Sequence, residues 1–120
     1  MDPFTLAVGS AILAALRAKT GDAADQVLVA WDQTLRAQKG MAGARIGIPP
    51  QVKKALTVNR GDRCAYWTLI ERCSGTLTVD HRVPLNAGGY NYSDNLQLVC
   101  GHHNSSKRAR TDLEYRRRNQ

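Results

Sequence analysis

The sequence predicts an α+β fold, in which a small core of two strands and a helix follows an N-terminal helical extension. Three observations predict it. Two short apolar runs within residues 77–99 flank a loop containing Gly88-Gly89. Residues 6–38 place apolar side chains at helical spacing. A chain of 120 residues has room for one domain with a modest core. The division expected is a helical extension over 1–44 and the chemistry-bearing unit, with a basic C-terminal tail, over 45–120.

A first helix is expected over residues 6–19, with Val8, Ala11, Ile12, Ala15 and Leu16 on its apolar side, ending before Thr20-Gly21. This apolar stretch is too short to cross a bilayer. A second helix is expected from Asp22 as N-cap to about Gln38, with Leu28, Trp31 and Leu35 on one face. The expected role of that face, Trp31 included, is core packing. Its alternatives are a homodimer surface or docking within a larger phage or defence assembly. Residues 40–47 lack an apolar period and read as a linker that brings Arg45 near a nucleic acid. Pro49-Pro50 starts a short helix with Val52, Ala55 and Leu56 on its apolar face, and Arg60 to Cys64 form a turn.

Leu77, Val79 and Val83 mark a strand that carries Asp80 and His81 at its end, and Pro84 to Tyr92 form the loop. A second strand, Leu96 to Val99, runs into Cys100, and Ser105 to Arg110 begin a helix. Lys and Arg number 17 against 10 acidic residues, and the excess lies wholly in residues 45–120, because residues 1–44 hold four of each sign. A polyanion would therefore meet the C-terminal two-thirds. Arg116-Arg117-Arg118 read as a basic tail that adds nonspecific phosphate contacts, its alternative being a tail that only solvates the surface. Three cysteines, an odd count, argue against a disulfide framework, and no charged leader precedes a signal-type apolar run. A cytoplasmic protein with reduced thiols and no membrane partner is expected.

Residues 49–110 resemble the HNH nucleases, a branch of the ββα-metal endonucleases. The resemblance rests on Asp80-His81, Pro84, Gly88-Gly89, Asp94-Asn95-Leu96, Cys100-x-x-His103-Asn104 and Lys107, in the family's order. It implies a ββα-metal core and a divalent-metal-dependent DNA endonuclease acting on DNA, expected to be double-stranded, through backbone contacts. The other class of reading is a zinc-stabilised DNA-binding module, or a targeting subunit, that does not cleave.

Phosphodiester hydrolysis needs a base for water, a cation to neutralise charge on the leaving oxygen, and groups that position both. Histidine is the residue type that exchanges a proton near neutral pH, so His81 is the expected general base. Asn95 orients it or pins the loop. Asp80, on the opposite face of the strand, and Asn104, in the family's third signature position, would hold the catalytic cation, and their hard oxygens favour Mg²⁺ or Mn²⁺. The resemblance implies products with 5′-phosphate and 3′-hydroxyl ends. Arg82, Lys107, Arg108 and Arg110 are the expected backbone clamps, with His102 a further phosphate contact.

A structural Zn²⁺ is expected on Cys64, Cys73, Cys100 and His103, since Cys100-x-x-His103 has the spacing of a zinc knuckle. The family's commoner first pair is Cys-x-x-Cys, but Trp67 stands three after Cys64, leaving Cys73 as the remaining thiol. The loop Ala65 to Arg72 would then fold back and lay Tyr66, Trp67, Leu69 and Ile70 over the knuckle. The alternative is a knuckle without metal, with Cys73 buried and Trp67 filling the space.

Overall fold

The structure, a computed structural model, describes residues 21–67, 69 and 72–119. The helix expected over 6–19, and Ile70, lie outside the described residues. Helix α1 spans Gly21–Ala37 and α2 spans Pro50–Arg60. Strands β1 (Thr78–His81) and β2 (Leu96–Val99) pair antiparallel, with Asp80 opposite Gln97 and His81 opposite Leu96. Helix α3 spans Gly101–Lys107 and α4 spans Asp112–Arg118. Four helices and a two-stranded sheet make a small α+β unit among the described residues.

Two strands cannot bury both faces by themselves, so each face carries its own apolar cluster. On one face Leu96 and Leu98 meet Val27, Leu28, Trp31 and Leu35 of α1 and Val52, Ala55 and Leu56 of α2. The expected apolar faces of both helices are thus core. Asp22 lies inside the first turn of α1, where its charge complements the helix dipole, and not at the cap position expected of it. Pro50 opens α2 because the first turn needs no N–H from it, and Gly61 ends it at φ 88°.

On the other face Val99 joins Cys64, Tyr66, Cys100 and Tyr115. Tyr115 belongs to α4, the segment read from sequence as a basic tail. Thr111 and Glu114 close a capping box at its start, so the tail is a helix that buries one face. Arg116 turns inward to Asp112 at 3.1 Å and to Ala65 O at 3.2 Å, leaving Arg117 and Arg118 exposed. Helix α3 also departs from the expectation of a start at Ser105. It starts four residues earlier, at Gly101, where Cys100 caps it by accepting from His103 N, and Arg108, at φ 52°, ends it.

The loop between the strands is drawn tight. Gly88 adopts a left-handed φ of 90°, and a Cβ on Gly89 would lie 1.8 Å from Val83 O. Only glycine lets the backbone pass that close.

Candidate metal and catalytic site

The sulfur atoms of Cys64, Cys73 and Cys100 and a ring nitrogen of His103 lie within 4.8 Å of one another. His103 Nδ1 stands 3.5, 3.5 and 3.2 Å from the sulfurs of Cys64, Cys73 and Cys100. A tetrahedral zinc with bonds of about 2.3 Å to sulfur and 2.0–2.1 Å to nitrogen requires N···S edges of about 3.5 Å. The donor set and its spacing therefore fit zinc. Backbone N–H groups of Tyr66 and Cys100 point at Cys64 Sγ at 3.4 and 3.3 Å, and His103 N points at Cys100 Sγ at 3.4 Å. Such donors favour thiolates.

Without an ion the thiols divide. Desolvation and then the neighbouring thiols of Cys64 and Cys100 push Cys73 up to about 12. Cys100 falls below the ordinary thiol range: desolvation pushes it up, but the N–H groups of His103 and Ser74 and the adjacent thiols outweigh that. A cation would hold them all as thiolates. Cys73 is exposed, not the buried apolar residue that a metal-free knuckle would need. Tyr66 lies over the cluster and Leu69 packs against it, whereas Trp67 is 55 % exposed and does not cover the knuckle.

Asp80 and His81 leave β1 on opposite faces, as alternation requires. Asp80 accepts from Gln97 Nε2 at 3.0 Å and pairs with Lys107 Nζ at 3.2 Å. Lys107 also donates to His81 O at 2.9 Å and is 0 % exposed. Expected as a backbone clamp, it is instead an internal cation that ties α3 to the end of β1. Asn104 sits one turn earlier on α3 and is exposed.

His81 Nε2 lies 2.8 Å from Asn91 Oδ1. The orientation of that amide follows from its other end, where Nδ2 donates to Met41 O at 2.9 Å and Ala44 O at 2.7 Å. Its oxygen must face His81, so Nε2 carries the proton and Nδ1 keeps the lone pair. Asn91 is 0 % exposed, and Trp31 Nε1 donates to its carbonyl at 2.7 Å while its own N–H reaches Ala42 O at 2.7 Å. Asp32 of α1 clamps the next turn, accepting from Ser93 N and Ser93 Oγ, each at 2.7 Å. Sequence reading missed Asn91 and Asp32, because an asparagine beside Gly-Gly reads first as a turn former.

Asn95 takes the second of its two expected roles. Its Oδ1 accepts from Val83 N at 3.0 Å, and its Nδ2 donates to Val83 O at 3.0 Å and Tyr90 O at 2.9 Å, which staples the loop to the strand end. Of the remaining basic residues, Arg108 and Arg45 are exposed. Arg110 donates to Ser106 O at 3.0 Å. Arg82 is half-buried and faces a cleft at the outer edge of β2. His102 is exposed at the start of α3.

No helix among the described residues is long and apolar enough to cross a membrane. No curated protein and no solved structure gives a significant match to the chain. Residues 63–110, which enclose the four candidate metal ligands, the strand hairpin and α3, match the family model for HNH endonucleases, so that span of the chain is similar to an HNH endonuclease domain.

Proposed function

We propose that the protein is a divalent-metal-dependent DNA endonuclease with His81 as its general base. The observation that carries this reading is the Asn91 amide, which is locked so that His81 Nε2 donates to it and Nδ1 is left as an acceptor. A packing histidine has no need of a fixed tautomer, whereas a base must present its lone pair in one direction. Nδ1 takes the proton of the attacking water, and Asn91 steadies the imidazolium that results. Asn95 holds the loop that closes this end of the strand.

Asp80 and Asn104 supply hard oxygen donors that fit Mg²⁺ or Mn²⁺. Such an ion, when bound, neutralises charge on the scissile phosphate and the leaving oxygen. Lys107 offsets part of the Asp80 charge, so Asp80 and Asn104 would hold such an ion only weakly in the absence of a substrate phosphate. Arg82, Arg108 and Arg110 remain the candidates for phosphate contacts, and the zinc on Cys64, Cys73, Cys100 and His103 is structural.

The Asp80–Lys107 ion pair also favours a second reading, in which the domain binds DNA without cutting it because the carboxylate is already neutralised. A plasmid-nicking assay separates the two. Mg²⁺ or Mn²⁺ should support nicking that EDTA abolishes, and His81→Ala should lower the rate by about 10²–10⁴-fold. Wild-type protein that shifts DNA in a gel yet never nicks it would favour the binder.

A further inference from the structure

At the outer edge of β2 the segment after α2 runs beside the strand, with Ala65 N donating to Leu98 O at 2.8 Å. Next to it opens a cleft of about 710 Å³ lined by Arg60, Asp62, Arg63, Trp67, Arg82 and Gln97. That volume falls in the range of roughly 300–1,000 Å³ typical of small-ligand sites. Three guanidinium groups face one carboxylate there.

Two of those cations are incompletely satisfied. Arg60 Nη2 donates to Ser93 O at 3.0 Å, which fixes its plane, while Arg60 Nη1 is buried without a hydrogen-bond partner among the described residues. Arg82 Nε is buried in the same condition. Desolvation, and then the nearby Arg82 charge, push the Arg60 guanidinium below its ordinary range. Two like charges with spare donors in one cleft are stabilised by an anion between them. Gln97, 1 % exposed, adds an acceptor, Oε1, that nothing in the described chain satisfies.

The second half of the cleft is aromatic. Trp67 is 55 % exposed, and the Arg63 guanidinium lies 4.5 Å from its ring centroid. A large exposed ring steadied by an arginine, beside a basic cleft, has the composition of a stacking platform for an unpaired base. A fully stacked duplex cannot offer a base face to it. We propose that this cleft binds a single-stranded segment of nucleic acid, with a backbone phosphate between Arg60 and Arg82 and one base stacked on Trp67.

This rests in part on the nuclease reading, for Arg82 follows His81 directly and Gln97 joins the cleft to Asp80 at 3.0 Å. A strand seated in the cleft lies beside the scissile site, so the preferred substrate has an unpaired stretch next to the cut.

The test uses the full, zinc-loaded chain in buffer without added Mg²⁺ or Mn²⁺, where nothing is cleaved. Trp31 is 0 % exposed, so quenching of intrinsic fluorescence reports on Trp67. A dT hexanucleotide should quench it, and a blunt duplex of equal length should not. With fluorescein-labelled dT hexanucleotide, Trp67→Ala should lower affinity about tenfold or more, and Trp67→Phe should recover most of it. Arg60→Gln and Arg82→Gln should each weaken binding by about tenfold, with a shallower salt dependence. Zinc content and far-UV circular dichroism confirm that each variant is folded, and Trp67→Phe serves where Trp67→Ala is not. Equal affinity for duplex and single strand, or a folded Trp67→Ala that binds like wild type, would overturn the proposal. Either failure leaves His81-dependent nicking as it stands, and an absence of nicking leaves the oligonucleotide affinity unchanged, so the two readings fail separately.

Discussion

At the scale of single residues, the proposed base is held by a side chain that touches no substrate. Asn91→Ala removes the acceptor that fixes the His81 tautomer and takes from the half-buried Met41 O and Ala44 O the amide donor they share. Nicking should fall by about 10–100-fold, and stability by about 1–3 kcal/mol, read from the urea midpoint. The activity should also change its pH profile, which loss of stability alone would not produce. His81 is singled out in the sequence as the candidate base because Asp80, Pro84, Gly88-Gly89 and Asn95 surround it in order. Asn91 is not, since its partners Trp31, Met41 and Ala44 are brought to it only by the packing of α1 and the linker. Tyr66 gives a second residue-level prediction. Its phenol is pushed well above the ordinary value, first by burial and then by its bond to Asp112. A raised phenol contributes stability that is complete below the unfolded value of about 10 and is lost as pH rises beyond it. Wild type should therefore lose stability above about pH 10 more steeply than Tyr66→Phe, in urea melts of the two run in parallel.

At the scale of elements, the strands and the first two described helices follow closely from apolar period and proline placement, whereas α3 and α4 do not. Helix α3 starts at Gly101 because a cysteine caps it, and cysteine is not a residue type from which a cap is expected. Helix α4 did leave a local signal, Thr111-x-x-Glu114, but three successive arginines suggested a basic tail. Its one buried residue, Tyr115, is 1 % exposed and stands edge-on to Tyr66, with ring centroids 4.8 Å apart. Tyr115→Ala should cost about 3–5 kcal/mol, while Arg117→Ala should be near neutral. The Asp80–Lys107 pair binds α3 to β1 with both side chains largely enclosed. Lys107→Ala leaves Asp80 uncompensated and should destabilise by about 3–5 kcal/mol. A lysine that clamped DNA would behave otherwise: its removal would lower the salt slope of binding by about one, with little change in the melt.

At the scale of the whole molecule, one sheet serves two small cores, and the proposed ion site would close the second. Leu96 and Leu98 belong to the cluster with α1 and α2, while Val99 and Cys100, next along the chain, belong to the cluster with Tyr66 and Tyr115. The first cluster draws apolar faces from two helices. The second has few apolar side chains, and its segments meet through Cys64 after α2, Cys73 before β1, and Cys100 with His103 at the start of α3. A structural zinc contributes about 10–16 kcal/mol in small domains, comparable to the whole stability of about 5–15 kcal/mol for a typical fold. Removing it should therefore open the second core first. Native mass spectrometry should find one zinc per chain, and Cys73→Ser should lower its occupancy even though Cys73 is the exposed ligand. After chelation, hydrogen exchange at Ala65, Cys100 and His103 should rise toward the unfolded rate, while the amides of α1 and α2 stay protected longer. Acid should act in the same direction, because thiolate and imidazole ligands must shed protons to bind the ion. A chain that stays metal-free, folded and equally protected at both clusters would show that the cysteines and His103 pack without an ion, and that the second core stands by itself.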